Sequence, residues 1–152
     1  MEISSIKNKL LHECKDYVAK RIATSTLAME QAQHAANEEG KSSAGDKYET
    51  GRAMMQIERD KAAQQLNEAL KLKQVLDRIN PELKNEKISL GSLVITSALK
   101  IFVTIGIGKL KVEGDDFLVV APSSPLGKSL MGLNINDSFT FNNASNTIIR
   151  IL

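Results

Sequence analysis

Two carboxylates, Asp46 and Glu49, stand three residues apart in the short segment "GDKYE", between two long segments of helix-forming sequence. Side chains at positions i and i+3 of a helix lie about 5–6 Å apart, close enough to share a divalent cation or one of its waters. The same pattern fits a capping box, in which Asp46 accepts from the amide of Glu49 and Glu49 reaches back to the amide of Asp46. Taken alone, the residues favour the cap, and both interpretations place the pair at the start of a helix.

Other residue types that could do chemistry lack partners at a useful spacing. His12 and His34 have no second ligand at a metal-binding spacing such as "HExxH", which favours solvated helix residues. Cys14 falls within an apolar stripe, which predicts a small buried thiol and not a nucleophile. The sequence therefore gives no sign of a self-sufficient active site.

Composition excludes several broad classes. Lysine and arginine number 20 against 18 for aspartate and glutamate, so overall charge gives no argument for a nucleic-acid binder. A single cysteine cannot form an internal disulfide, and "MEISSIKNKL" lacks the apolar core of a signal peptide. The longest apolar stretch is broken by Ser, Thr and Lys, which favours strands over a membrane span. We expect a cytoplasmic protein with no membrane partner.

The first half of the chain must position Asp46 and Glu49, and its composition is typical of helices. No proline occurs before residue 81, and Ala, Leu, Lys, Glu and Gln are abundant. Spacings of three, four and seven define two narrow apolar stripes. They comprise Leu11, Cys14, Val18, Ile22, Ser25, Met29, Ala32 and Ala36, then Met55, Ala62, Leu66, Ala69, Leu70, Leu76 and Ile79, interrupted by Arg59 and Lys73. This pattern predicts an antiparallel coiled-coil hairpin over residues 1–80, about 50 Å long, with its turn near residues 40–45.

The second half changes character after Pro81. Residues 81–87 form a charged linker, and residues 88–152 contain short β-branched runs separated by glycine, asparagine and aspartate. Between these runs, "SSPLGKSLMG" has a serine able to cap, Pro125 for the first helical turn and Gly132 to end it. The prediction is an α+β protein whose second domain is a small sheet of about five strands with one short helix.

This half resembles the C-terminal domain of the Gre transcript-cleavage factors of bacterial RNA polymerase. The resemblance is carried by "APSSPLGKSLMGLNINDSFTF" and the closing strand "NTIIRIL". The matched residues are Ser124, Pro125, Leu126, Gly127, Lys128, Leu130, Met131, Gly132 and Asp137, whereas Asn136 replaces the family's glycine. "ISLGSLVIT" also resembles the family's entry strand. The resemblance implies an FKBP-like C-terminal domain that follows a coiled-coil hairpin.

The resemblance also implies a partner and an activity. Gre hairpins enter the secondary channel of RNA polymerase, where acidic tip residues help to hold a weakly bound Mg²⁺ for hydrolysis of backtracked RNA. The implied roles are catalytic and metal-binding for Asp46 and Glu49. Ser124, Pro125, Leu126 and Lys128 are the implied polymerase-binding residues, and Lys15, Lys20 and Arg21 are candidates for steering nascent RNA. The protein would be a monomer without a tightly bound cofactor, and at most an activator of RNA hydrolysis by the polymerase.

Two registers compete at the tip. "GDKYE" matches the family's Gly-Asp-x-x-Glu, but Thr50, Gly51 and Arg52 stand where Asn, Ala and Glu are expected. Aligning Tyr48 with the family tyrosine instead places Lys41 and Ala44 at the carboxylate positions. The protein would then be a non-cleaving regulator that occupies the same channel. A third alternative is an FKBP-like isomerase or chaperone, although an aromatic content of 4% disfavours a proline-binding pocket.

Overall fold

Two long helices precede a sheet in this computed structural model, which describes residues 2–39 and 45–152, with side chains from 5 to 38 and from 49 onwards. Helix α1 spans Glu2–Glu39, α2 spans Gly45–Asp77, and the short α3 spans Pro125–Leu130. The strands are β1 (Leu93–Thr96), β2 (Lys100–Val103), β3 (Gly108–Val112), β4 (Asp115–Val120), β5 (Ser138–Phe141) and β6 (Ala144–Ile151). The predicted α+β class is confirmed, with six strands in place of about five. The FKBP-like resemblance of this sheet stays a prediction.

The chain forms two compact units. One unit, here called the sheet unit, combines Met1–Lys15 with Val75–Leu152, and the other, here called the arm, is Asp16–Gln74. The sequence predicted a hairpin domain at 1–80, a linker at 81–87 and a second domain at 88–152. The compact units instead meet at residues 15–16 and 74–75. The first turns of α1 therefore belong with the sheet. Within the described residues, no helix is both long and apolar enough to cross a membrane.

Within the arm, α1 and α2 run antiparallel. Residues 28–35 of α1 and 55–65 of α2 line one shared groove, and residues 17–25 and 65–68 line another. The buried members of the predicted stripes, over the whole length of both helices, are Leu11, Cys14, Val18, Ser25, Ala32, Ala36, Ala62, Ala69 and Leu76. Leu70 was predicted to join them but is 41% exposed. It follows the buried Ala69 by one residue, and one residue turns the side chain by about 100° around the helix.

The sheet has the strand order β3-β4-β2-β1-β6-β5. Strands β2 and β4 are parallel, whereas the other neighbouring pairs are antiparallel. Two hairpins close with two-residue turns at Glu113–Gly114 and Asn142–Asn143, where all four residues have positive φ. Such paired left-handed residues define a type I′ turn, whose twist matches that of the flanking strands.

Both faces of the sheet are covered. Helix α3 packs Leu126 and Leu130 on one face, against Val94, Ile101, Val103, Phe139, Ile148 and Ile151. Alternate residues of a strand point to opposite faces, and Phe102, between Ile101 and Val103, is fully buried on the other face. Thr104 has the same parity as Phe102, and its Oγ1 lies 3.9 Å from the Sγ of Cys14. The first turns of α1 therefore cover this second face.

Candidate functional site

The acidic pair lies in the first turns of α2. This helix begins at Gly45, so Asp46 and Glu49 are both helical and are three residues apart along one face. The side chain of Glu49 is exposed. The side chain of Asp46 lies outside the described residues, as do the side chains of Lys41, Ala44 and Tyr48 in the competing register.

The last turn of α1 carries a further carboxylate, Glu38. Glu38 is exposed, and its Oε1 lies 3.9 Å from Nε2 of His34, one helical turn away. This pair attracts only when His34 is protonated, and both side chains are more than half exposed, so it contributes little stability. As predicted for a solvated residue, the side chain of His34 is 78% exposed. Within the described residues, no three metal-ligating side chains form a cluster.

The three candidate RNA-steering residues do not form one basic face. Successive residues of a helix are about 100° apart, so Lys15, Lys20 and Arg21 point in three different directions. The Nζ of Lys20 lies 3.3 Å from Oδ2 of Asp16, although its side chain is 78% exposed. Arg21 is half-buried in a groove of about 440 Å³ that it shares with Tyr17. An exposed ion pair leaves most of the Lys20 charge accessible to a phosphate.

The second candidate region surrounds the N-terminus of α3. The hydroxyl of Ser124 accepts from the amide of Gly127 at 3.0 Å and donates to the carbonyl of Ala121 at 2.7 Å. Of the two serines in "SSPLG" that could cap the helix, Ser124 is the N-cap, with Pro125 in the first turn as predicted. Leu126 is only 4% exposed and belongs to the core. Of the four residues proposed to bind a partner, Pro125 and Lys128 have exposed side chains.

Gly127 permits close approach between α3 and the preceding loop. A Cβ built on Gly127 would lie 2.1 Å from the carbonyl oxygen of Ala121 and 2.9 Å from two backbone atoms of Pro122. These distances are shorter than real contacts allow, and all three atoms are backbone. The motif "SSPLG" thus combines a helix cap with a contact that only glycine permits.

Asn136, which stands where the Gre pattern has glycine, lies in the turn before β5. Asn136 has φ +76°, in the left-handed region where glycine is favoured and asparagine is tolerated best among the other residues. The carboxylate of Asp137 accepts from the amide of Asn134 at 2.7 Å, and the amide of Asn136 donates to the carbonyl of Ile148 at 2.8 Å. The replacement therefore preserves the turn.

Two titratable groups of α1 are buried in the sheet unit. Burial raises the pKa of the Cys14 thiol to about 11, opposed by its contact with Thr104 and assisted by the charge of Glu13. The thiol is thus a packing group, as predicted. Lys7 is 3% exposed and donates from Nζ to the carbonyl of Leu83 at 3.0 Å. Burial lowers the pKa of Lys7, and the charge of Glu82 acts in the opposite direction.

Sequence reasoning missed the burial of Lys7 and the contact role of Gly127. Lys7 is charged, which favours an exposed side chain, although its spacing of four residues from Leu11 extends the period of the apolar stripe and could have indicated burial. A third missed feature is an open groove of about 790 Å³, lined by His12 and Glu13 of α1 and by Lys111 and Glu113 at the β3–β4 turn. Lys9 pairs with Glu113 beside it. Because these partners are about a hundred residues apart in sequence, no local pattern could have joined them.

No protein-family model matches the chain, and no curated protein matches it significantly. Among solved structures, the chain is similar to the transcription factor Gfh1, with 16% identity and a TM-score of 0.35, over 90% of this chain and 92% of that one. It is also similar to Gfh1 of Thermus aquaticus, with 19% identity and a TM-score of 0.34, over the same shares of the two chains. These similarities are too distant to assign a family.

Proposed function

We propose that this protein is a transcription elongation factor that binds RNA polymerase and stimulates its hydrolysis of backtracked RNA. The hairpin of α1 and α2 would enter the secondary channel, and the sheet unit would dock outside it. The protein would act as a cytoplasmic monomer. It would not be an independent nuclease, because the resemblance implies that Asp46 and Glu49 add ligands to a cation held by the polymerase.

One arrangement carries this proposal. Asp46 and Glu49 lie within the first turns of α2, three residues apart, at the N-terminus of one of two long antiparallel helices. The motif residues of the sheet unit support it, since Ser124 caps α3, Gly127 lies against the backbone of Ala121, and Asn136 has the positive φ that glycine adopts readily. These local features are consistent with the resemblance stated from the sequence.

The chemistry needs two carboxylates because a hard cation prefers oxygen ligands. Asp46 and Glu49 would add oxygens to the second Mg²⁺ of the polymerase active centre and would orient the attacking water by hydrogen bonds. This Mg²⁺ would make its bound water more acidic and neutralise charge on the phosphodiester. Lys15, Lys20 and Arg21 would attract the extruded RNA from several sides of α1. Pro125 and Lys128 would contact polymerase from the exposed side of α3.

The test is transcript cleavage in stalled, backtracked elongation complexes. The unaltered protein should release short 3′ RNA fragments, whereas the variants Asp46→Asn and Glu49→Gln should bind polymerase normally and release few. Glu58→Gln is the matched control, because Glu58 is another exposed carboxylate of α2, more than two turns further along the helix. Its fragment release should equal that of the unaltered protein.

Three outcomes would count against the proposal. Normal cleavage by both tip variants would remove the metal-binding role from Asp46 and Glu49. Equal loss in all three variants would indicate a general effect on the helix. Absence of polymerase binding by the unaltered protein would refute the partner itself.

A second candidate function is binding to RNA polymerase without stimulation of RNA cleavage. Thr50, Gly51 and Arg52 depart from the family's tip sequence, which favours a regulator that occupies the channel without cleaving. In the same assay such a protein would bind polymerase, release no RNA and inhibit an added cleavage factor competitively. The competition therefore distinguishes the two functions.

A further inference from the structure

Large apolar side chains are distributed unequally between the two compact units. In the sheet unit, the buried residues include large apolar side chains from both the helices and the strands. Examples are Leu10, Leu76, Phe102, Leu130 and Ile148. Among the described side chains of the arm, the buried residues are Val18, Ser25, Ala32, Ala36, Ala62 and Ala69. The arm is therefore held together mainly by small side chains.

The larger apolar residues of the arm contribute less to its stability than their number suggests, because they are incompletely buried. Ile22, Met29, Met55, Leu66 and Leu72 are only partly buried. Leu27, Met54 and Ile57 are exposed by 55%, 57% and 65%. Burial stabilises in proportion to the apolar area removed from water, and long helices depend on such tertiary packing for most of their stability.

Contacts within the sheet unit anchor both ends of the hairpin independently of the arm. Cys14 contacts Thr104, Lys7 donates to the carbonyl of Leu83, and Leu76 is fully buried. Separating α1 from α2 between residues 16 and 74 would break none of these contacts. Opening the arm would therefore remove the burial within its alanine-rich seam and leave these three contacts in place.

We propose that the arm opens as a separate cooperative unit while the sheet unit stays folded. Proteins commonly open in such contiguous units, and the least stable unit is the one with the fewest buried apolar contacts. Pairing of α1 with α2 over residues 16–74 is then a reversible step with its own equilibrium constant. A partner that binds only the paired arm would shift that equilibrium. This inference does not depend on the proposed function.

The test is native-state hydrogen exchange of the full chain, read peptide by peptide by mass spectrometry. In the unaltered protein, the slowest amides of the arm should exchange together and at least tenfold faster than those of β1, β4 and β6. Ala62→Gly alters a seam residue that is 5% exposed, and Ala53→Gly makes the same change at an exposed position of the same helix. Glycine in a helix interior costs about a fivefold factor in the folding equilibrium.

Both arm variants should accelerate exchange in the arm, Ala62→Gly by more than Ala53→Gly, and both should leave β1, β4 and β6 unchanged. Val94→Ala, in the core of the sheet unit, should accelerate exchange in the strands and leave the arm rates unchanged. If Ala62→Gly accelerates the strands and the arm by one common factor, the chain is a single cooperative unit and the inference is wrong. Equal effects at positions 62 and 53 would show that the seam does not hold the arm together.

Discussion

The substitution Gly127→Ala tests how tightly α3 is seated on the sheet unit. The added methyl group would lie 2.1 Å from the carbonyl oxygen of Ala121 and 2.9 Å from two backbone atoms of Pro122. No side-chain rotation relieves a clash between a Cβ and backbone atoms. Either α3 or the loop before it must move, and that movement displaces Leu126 and Leu130 from the core.

Overpacking a well-filled site costs about 1–3 kcal/mol, and the short distances at Gly127 place this substitution near the upper end. Alanine recovers part of the loss, because it favours helices by about 1 kcal/mol over glycine. The net expectation is a loss of about 2 kcal/mol in the free energy of unfolding of the sheet unit. With a urea dependence of about 2 kcal/mol per molar, the unfolding midpoint falls by about 1 M.

The measurement needs a probe confined to the sheet unit. The chain has no tryptophan, and both tyrosines lie in the arm. The methyl signals of Ile101 and Ile148, two core residues, report unfolding of the sheet unit by NMR during a urea titration. Gly106→Ala is the control, because a Cβ on Gly106 would meet nothing within 4 Å and its φ is not positive. Equal midpoints for the two variants would refute the close-approach argument.

Two further predictions concern the same unit. Ser124→Ala should lower the free energy of unfolding by about 1 kcal/mol through loss of the helix cap, whereas Ser123→Ala, at an exposed position, should leave the urea midpoint unchanged. The Cys14 thiol should react with iodoacetamide at pH 8 about a hundredfold more slowly in the native protein than in urea, since a pKa of about 11 lowers the thiolate fraction at that pH. Because burial raises its pKa to about 11, the stabilising contribution of the neutral thiol is complete below pH 9 and is lost as the pH rises towards 11. In Cys14→Ala, the free energy of unfolding should not show this loss between pH 9 and pH 11. If the variant and the unaltered protein lose stability equally over that range, the loss does not come from the Cys14 thiol.

Much of the candidate site was predictable because its signals are local. Ser124 and Pro125 define a helix start through backbone geometry within four residues, and the structure places the cap as predicted. The spacing of Asp46 and Glu49 likewise predicted two carboxylates on one helical face. Their role in metal binding stays a prediction, because the oxygens that would complete the site belong to the proposed partner.

The sequence by itself determined the two long helices, most of the strands and the start of the short helix α3, since helical periodicity, β-branched composition and helix-capping residues act within a few residues. Only the tertiary structure decided that β2 pairs in parallel with β4 and that the start of α1 belongs with the sheet. It also decided that Gly127 must approach Ala121 and that Nζ of Lys7 donates to the carbonyl of Leu83. The physical reason is that these features depend on contacts between groups brought together by folding, which no local pattern of residues encodes.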